Sequence, residues 1–329
     1  MGTTDNYALK TESFSIGSFL RQFVKTKGSV VIFIILWILA SLFVQNFFSL
    51  NNMLLIIKQA AIPMIACLGI TVVLMTGGID LSLGYTLGLC SISVGIFVKS
   101  MGLPIWISIF LTLCIGLLVG LFNGILVQYV KVPAFITTLG SGYIIFGLAQ
   151  IISSGSDINR LPAAFRAIGV TEFAGLNTTV FIAFGICLIM YYLLHLSTFG
   201  RALSAFGYNN KTARMSGIRT ERINVLAYMI SSFLVAIAAI LLTIRVNCAQ
   251  PTMGGGIYTF EVITGAIIGG ASLFGGVGTV IGSVFGILIV KVIENCINLM
   301  NVSYYTYQAF QGIVILLAII FENVKNRKL

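Results

Sequence analysis

"MTGGIDLSLG", residues 75–84, decides how this chain is to be read. The apolar run "IPMIACLGITVVL" (62–74) precedes it, and the run "YTLGLCSISVGIFV" (85–98) follows. Between them stand a carboxylate (Asp80), a hydroxyl (Ser82) and three glycines (Gly77, Gly78, Gly84). A carboxylate in hydrocarbon is costly, so Asp80 is expected to face protein or a water-filled cavity. Irregular backbone survives at membrane depth only where protein or water satisfies its polar groups. Gly77 and Gly78 permit a break, and Asp80 and Ser82 are expected to cap the start of the next helix by accepting its free N–H groups. Two compatible roles follow: a structural cap for a broken helix, or a polar element that lines a solute path or braces its gate.

Composition extends this reading to the whole chain. Of the 329 residues 58% are hydrophobic and only 9% charged, and the mean hydropathy is +1.05. A soluble domain would carry about 25% charged residues. The chain is therefore expected to be an all-α membrane protein, one bundle of helices without a separate soluble domain. A spanning helix needs about 20 mostly apolar residues. Ten candidates meet this: 30–48, 53–76, 81–98, 105–128, 133–153, 179–196, 223–244, 257–274, 277–298 and 305–321. The second, third and eighth are candidates for broken helices. The first run is too long for a signal-peptide core and lacks a cleavage site, so it is read as a membrane helix.

Basic residues set the orientation. With both termini inside, thirteen of the 19 Lys and Arg fall in cytoplasmic segments, five of them in the loop 197–222. This asymmetry explains the net charge of +10 without nucleic acid. Residues 1–29 and 323–329 then form cytoplasmic ends around a transmembrane domain at 30–322. Lys58 and Lys291 are expected near outer helix ends, where they can snorkel. The six cysteines are scattered singly and read as packing residues, and His195 is the only histidine, so no metal site is expected. Gly116, Gly120 and Gly124 form one small-residue ladder, and Gly278, Gly282 and Gly286 another; such ladders let helix backbones approach closely in lipid. "GGASLFGG" (269–276) repeats the pattern Gly-Gly-x-x-Leu-x-x-Gly of residues 77–84, also on the cytoplasmic side.

Catalytic motifs are missing. There is no Gly-x-x-x-x-Gly-Lys-Ser/Thr, no His-Glu-x-x-His and no Gly-x-Ser-x-Gly. The chain is read as no enzyme, so any active transport needs an ion gradient or another polypeptide. An ion-coupled carrier needs intramembrane ionisable groups, and the sequence offers Asp80, Glu261 and the pair Lys291/Glu294, one helical turn apart.

Five stretches, in order along the chain, resemble the membrane permeases of bacterial sugar ATP-binding-cassette importers, the ribose/xylose/arabinose/galactose group. They are "MTGGIDLSLG" (75–84), "VKVPAFITTLG" (130–140), "FGRALSAFGYNNKTARMSGI" (199–218), "AQPTMGGG" (249–256) and "IIGGASLFGGVGTVIGSVFG" (267–286). The chain departs from the family at Gly207-Tyr208-Asn209, usually Gly-Gly-Asn, and at Asn210-Lys211, where an acidic residue is familiar.

The resemblance implies a type II, vitamin-B12-importer-like bundle of about ten helices in the bacterial plasma membrane. Two permease subunits, identical or paralogous, pair around a central path. A periplasmic or lipid-anchored binding protein delivers a monosaccharide, and a cytoplasmic twin-cassette ATPase binds ATP and Mg, so this chain needs no cofactor. The segment 197–222 becomes the coupling loop, with Gly207, Asn209, Ala213, Arg214, Ser216 and Gly217 at the expected places. Gly77, Gly78, Asp80 and Ser82 are then expected to shape the path or its cytoplasmic gate, with Asn123, Thr137 and Thr138 as pore-lining candidates. Gln250 and Pro251 are candidates for the outer gate or docking rim. The alternative left open is a self-sufficient secondary sugar carrier or facilitator.

Overall fold

The computed structural model describes residues 16–303 and scattered positions from 305 to 320, with side chains from residue 28 onward. The chain is mainly helical. The helices are α1 (Ile16–Phe43), α2 (Leu50–Met75), α3 (Leu83–Gly95), α4 (Ile105–Ile125), α5 (Ala134–Ser153), α6 (Ala163–Val170), α7 (Thr178–Tyr191), α8 (Thr198–Tyr208), α9 (Asn210–Met215), α10 (Thr220–Val246), α11 (Gly255–Ile268) and α12 (Val280–Leu299). Single π-helical turns extend α3, α4 and α7 to Ser100, Val130 and Leu196. Among the described residues, seven helices are long and apolar enough to cross a membrane: α2, α3, α4, α5, α7, α10 and α12, counted with their π turns. Two shorter apolar helices, Gly28–Phe43 and Gly255–Ile268, match the first and eighth expected spans. The tenth, 305–321, lies for the most part outside the described residues.

The breaks sit where glycine permits them. α2 is continuous through Pro63, contrary to the expectation that it is broken; Pro63 is buried among neighbouring helices, a setting in which membrane helices tolerate proline. The interruption comes after it, at 76–82. α3 likewise runs unbroken once it starts. The eighth span is a half-helix: α11 has 14 residues, about 21 Å, short of the roughly 30 Å hydrocarbon core. Its ends are irregular, at 247–254 and 269–279.

α2, α3 and α10 form the centre, with α4, α5 and α7 exposing aliphatic and aromatic side chains around them. The first glycine ladder lies in the α4–α10 contact. A Cβ on Gly120 would fall 2.5 Å from the Tyr228 carbonyl oxygen, and one on Gly116 2.6 Å from Ala236 Cβ. The second ladder joins α12 to α11, where a Cβ on Gly286 would fall 1.8 Å from the Gly265 carbonyl.

Lys58 does reach the surface, pairing with Glu172 of the outer loop at 2.7 Å. Lys291 does not snorkel. It is buried, and its ammonium bridges Glu261 of α11 at 2.6 Å and Glu294 at 2.7 Å. A chain-distant carboxylate holds it inward, which sequence spacing could not reveal. The six cysteines are free. His195 Nε2 accepts the Val280 N–H at 3.4 Å, tying the end of α7 to the start of α12.

Candidate functional site

The α2–α3 break folds around Asp80. Gly77 adopts φ +78°, which the turn asks of a glycine, and at Gly78 the Tyr228 hydroxyl takes the space of a Cβ, which would fall 2.5 Å from it. Asp80 Oδ1 accepts two hydrogen bonds from Ser82, from its N–H at 2.9 Å and from its hydroxyl at 2.5 Å. This is a side-chain turn of the kind aspartate forms readily. Asn123 of α4 donates its amide N–H to Ser82 Oγ at 2.9 Å. From α5, Thr138 Oγ1 accepts the Leu81 N–H at 3.0 Å and donates to the Ile79 carbonyl at 3.1 Å. Asp80, Ser82, Asn123 and Thr138 are all fully buried.

The expected cap is corrected by this geometry. Ser82 occupies the N-cap position of α3 but makes no capping bond. Its hydroxyl is committed to Asp80, and Thr259 of α11 accepts the Gly84 N–H at 2.9 Å instead. Tertiary packing supplies the acceptor that the local sequence was expected to supply. Asp80 Oδ2, Asn123 Oδ1 and the Tyr228 hydroxyl are buried without a hydrogen-bond partner among the described residues. Because α3 starts level with Thr138 and Gly142 of α5, its first turn lies at membrane depth.

The two matching glycine motifs stand against each other. The Gly276 N–H donates to the Met75 carbonyl at 2.9 Å, and a Cβ on Gly77 would lie 3.3 Å from the Phe274 carbonyl. The end of α8 is wedged into this contact. A Cβ on Gly207 would fall 1.9 Å from the Met75 oxygen and 2.2 Å from the Gly276 nitrogen. The Tyr208 ring covers Gly276, close enough that a Cβ there would lie 2.8 Å from it.

The helical turn beyond this contact is built from its own sequence. Ser197 caps α8 by accepting the Phe199 N–H at 3.1 Å, and Asn209 caps α9 by accepting the Thr212 N–H at 3.1 Å. α9 closes in a Schellman arrangement: Ile218 N–H to the Ala213 carbonyl at 3.1 Å, and Gly217 N–H to the Arg214 carbonyl at 3.0 Å. Gly217 takes φ +82° to do so. Ala213 is buried, and Ser216 donates to the Thr212 carbonyl at 3.0 Å. Arg214 stands 3.6 Å from Glu221 and is largely exposed. Tyr208 and Met215 are exposed as well, Met215 at 88% the most exposed large apolar residue described.

On the opposite side, residues 247–254 descend along α3. A Cβ on Gly95 would meet Ala249, one on Gly88 the Pro251 carbonyl, and one on Gly84 the Gly255 carbonyl. The strand β2 (Cys248–Ala249) pairs antiparallel with β1 (Ile158–Asn159) of the outer loop. Gln250 donates its backbone N–H to Ser91 Oγ at 3.2 Å and its side-chain amide to Asp157 at 2.8 Å. Pro251 is buried.

The structure thus gathers Gly77, Gly78, Asp80, Ser82, Asn123 and Thr138 at one corner, and joins Gly207 to it. Thr137 belongs elsewhere, donating to the Val132 carbonyl at 3.4 Å. Gln250 and Pro251 form a separate outer element. Sequence reasoning missed Tyr228, Thr259 and Met215. The first two lie inside apolar helices with no local signal. Met215 carried one, an apolar residue between Arg214 and Ser216 in a turn of polar residues.

A polytopic helical bundle with helix breaks at membrane depth and an exposed helical turn on its basic side is the architecture of a transport permease. The chain belongs to the family described as branched-chain amino acid transport system / permease component, which it matches over residues 52–319. It is a multi-pass protein of the bacterial plasma membrane. It is 33% identical to the ribose import permease protein RbsC of Haemophilus influenzae over 323 residues, 97% of this chain and 98% of that one. Identity is 32% to the L-arabinose transport system permease protein AraH of Escherichia coli (99% and 97% covered), and 35% to RbsC of Bacillus subtilis (89% and 91%). No solved structure matches the chain.

Proposed function

We propose that this chain is the transmembrane permease subunit of an ATP-driven importer that moves a monosaccharide into the cytoplasm. The family description speaks of branched-chain amino acids, but relatives matched along nearly the whole chain are named for ribose and arabinose, which favours a sugar. The bundle is read as a ten-helix, type II permease that pairs with a second permease subunit. A binding protein delivers the sugar from outside. A twin-cassette ATPase holds ATP and Mg inside, so the permease carries no cofactor and no catalytic residue.

One observation carries this reading. An exposed helical turn (Tyr208, Arg214, Met215) is rigidly capped and keyed through Gly207 onto the backbone of the α2–α3 break. Such a part suits a docking surface whose displacement reaches the membrane interior. In this reading the Asp80 corner braces the cytoplasmic gate rather than touching sugar, because its side chains are buried within one subunit. Gln250 and Pro251 serve the outer gate.

The test is co-purification of the tagged chain from gently solubilised membranes. An ATPase is expected with the native chain and is expected to be lost with Arg214→Ala combined with Met215→Asp, since both side chains are largely exposed and the Arg214–Glu221 pair given up is a surface one. Sugar uptake into liposomes by this chain alone would overturn the reading in favour of a secondary carrier.

A further inference from the structure

Tyr143 stands at a depth where a lipid-facing tyrosine is out of place. α5 has 20 residues, about 30 Å, the thickness of the hydrocarbon core. Tyr143 is its tenth residue, at mid-depth, and is 62% exposed on this chain. Tyrosines that face lipid collect at the two interfaces instead. The Tyr143 ring lies 5.7 Å from that of Tyr85, tilted by 32°, and Phe146 meets Tyr85 edge-on at 5.8 Å. Tyr85 belongs to the first turn of α3, which begins at membrane depth because Thr138 latches the preceding break. A Cβ on Gly256, at the head of α11, would lie 3.9 Å from the Tyr85 hydroxyl. Two elements, α3 and α5, therefore bring two phenols and a phenyl ring to one surface, and the glycine head of α11 borders it.

This surface is unlike those that face lipid. α4 exposes Trp106, Phe110, Leu118 and Phe122. On α5 the row containing Tyr143 holds Gly140, Gly147 and Gln150 at helical spacing, and a Cβ on either glycine would meet nothing within 4 Å. The aliphatic side chains Ile144, Leu148 and Ile151 stand on the neighbouring row. The segment 249–256 continues the surface outward. At its upper end Gln250 is bound to Asp157 of the outer loop, and at its lower end Gly256 stands beside the Tyr85 hydroxyl.

We infer that Tyr85 and Tyr143, with Phe146 buttressing Tyr85, form the mid-membrane surface on which a monosaccharide slides during transport. This rests on the sugar-import reading above. An aldose ring has a face of C–H groups and a rim of hydroxyls. A tyrosine has the complement, an electron-rich face and a hydroxyl that both donates and accepts. The contact holds no charge and no deep pocket, so it replaces lost water hydrogen bonds without retaining the sugar.

The test uses the full transporter with its ATPase and binding protein, and radiolabelled D-ribose or L-arabinose, whichever the unaltered complex takes up. If it takes up no sugar, the import reading itself fails. In a chain whose half-buried Cys114, Cys187 and Cys296 are replaced by Ala, Tyr143→Cys and Ile144→Cys are treated with a water-soluble methanethiosulfonate in vesicles opened to both sides. Tyr143→Cys is expected to react and Ile144→Cys to stay unmodified. Uptake by Tyr143→Ala and Tyr85→Ala is expected to fall about tenfold, with the ATPase still co-purifying, and Tyr143→Phe to retain part of it. An unreactive Tyr143→Cys, the outcome for a lipid-facing or subunit-interface position, overturns the inference. So does unchanged uptake in the alanine variants. Should Tyr143→Ala fail to assemble, uptake and labelling of Tyr143→Cys decide the matter.

Discussion

Asp80 Oδ1 holds the Ser82 N–H and hydroxyl, and through that hydroxyl it orients the Asn123 amide. The turn uses one oxygen of the side chain, and an asparagine keeps that oxygen. Asp80→Asn is therefore expected to unfold close to the native temperature in detergent. Asp80→Ala strands buried donors, each at about 1–3 kcal/mol, and is expected to unfold markedly earlier. Equal midpoints for the two variants would show that the turn does not depend on this acceptor. Thr138→Val belongs to the same network: it leaves the Leu81 N–H without its acceptor and is expected to lower the midpoint in the same way.

Elements meet backbone to backbone where the end of α8 enters the α2–α3 break, and under the proposed function this makes docking and gating separable. The α9 turn is exposed and locally capped, whereas Gly207 is closed in by Met75 and Gly276. In Gly207→Ala the new Cβ meets main-chain atoms that cannot rotate away, an overpacking of about 1–3 kcal/mol. The expected outcome is an ATPase that still co-purifies and still hydrolyses ATP, with sugar uptake reduced about tenfold or more. Loss of ATPase binding in this variant would place Gly207 in the docking surface instead of the linkage. The glycine pattern shared by 77–84 and 269–276 has its physical reason here, because both stretches must let another backbone approach.

At the scale of the whole bundle, one buried ionic group joins the late helices. Lys291 neutralises one of the two carboxylates beside it, Glu261 from α11 and Glu294 from its own helix. Above it, Asn52 of α2 and Asn295 exchange amide hydrogen bonds at 2.8 and 3.0 Å. Lys291→Met leaves two like charges buried together and is expected to cost about 3–5 kcal/mol, seen as low yield and a depressed unfolding midpoint. Adding Glu261→Gln and Glu294→Gln removes the stranded charge and is expected to restore much of the loss. A triple variant no more stable than Lys291→Met alone would mean that the group acts through packing and not through charge.

The sequence by itself determined that the chain crosses the membrane many times, and it set 197–222 apart as the most basic segment between helices, because hydropathy and Lys/Arg asymmetry are properties of each segment and its distance from water. It also located the breaks at Gly77, Gly78 and the glycines after Pro251, since glycine and proline act on their own backbone. Only the tertiary structure decided which partners complete the site. Thr259 taking the place of Ser82 at the start of α3, Tyr228 filling the space beside Gly78, Glu261 holding Lys291 inward and Tyr85 meeting Tyr143 all join residues far apart in the chain. Apolar helices look alike along their length, so which faces meet is settled by how the side chains and glycine gaps of separate helices fit together.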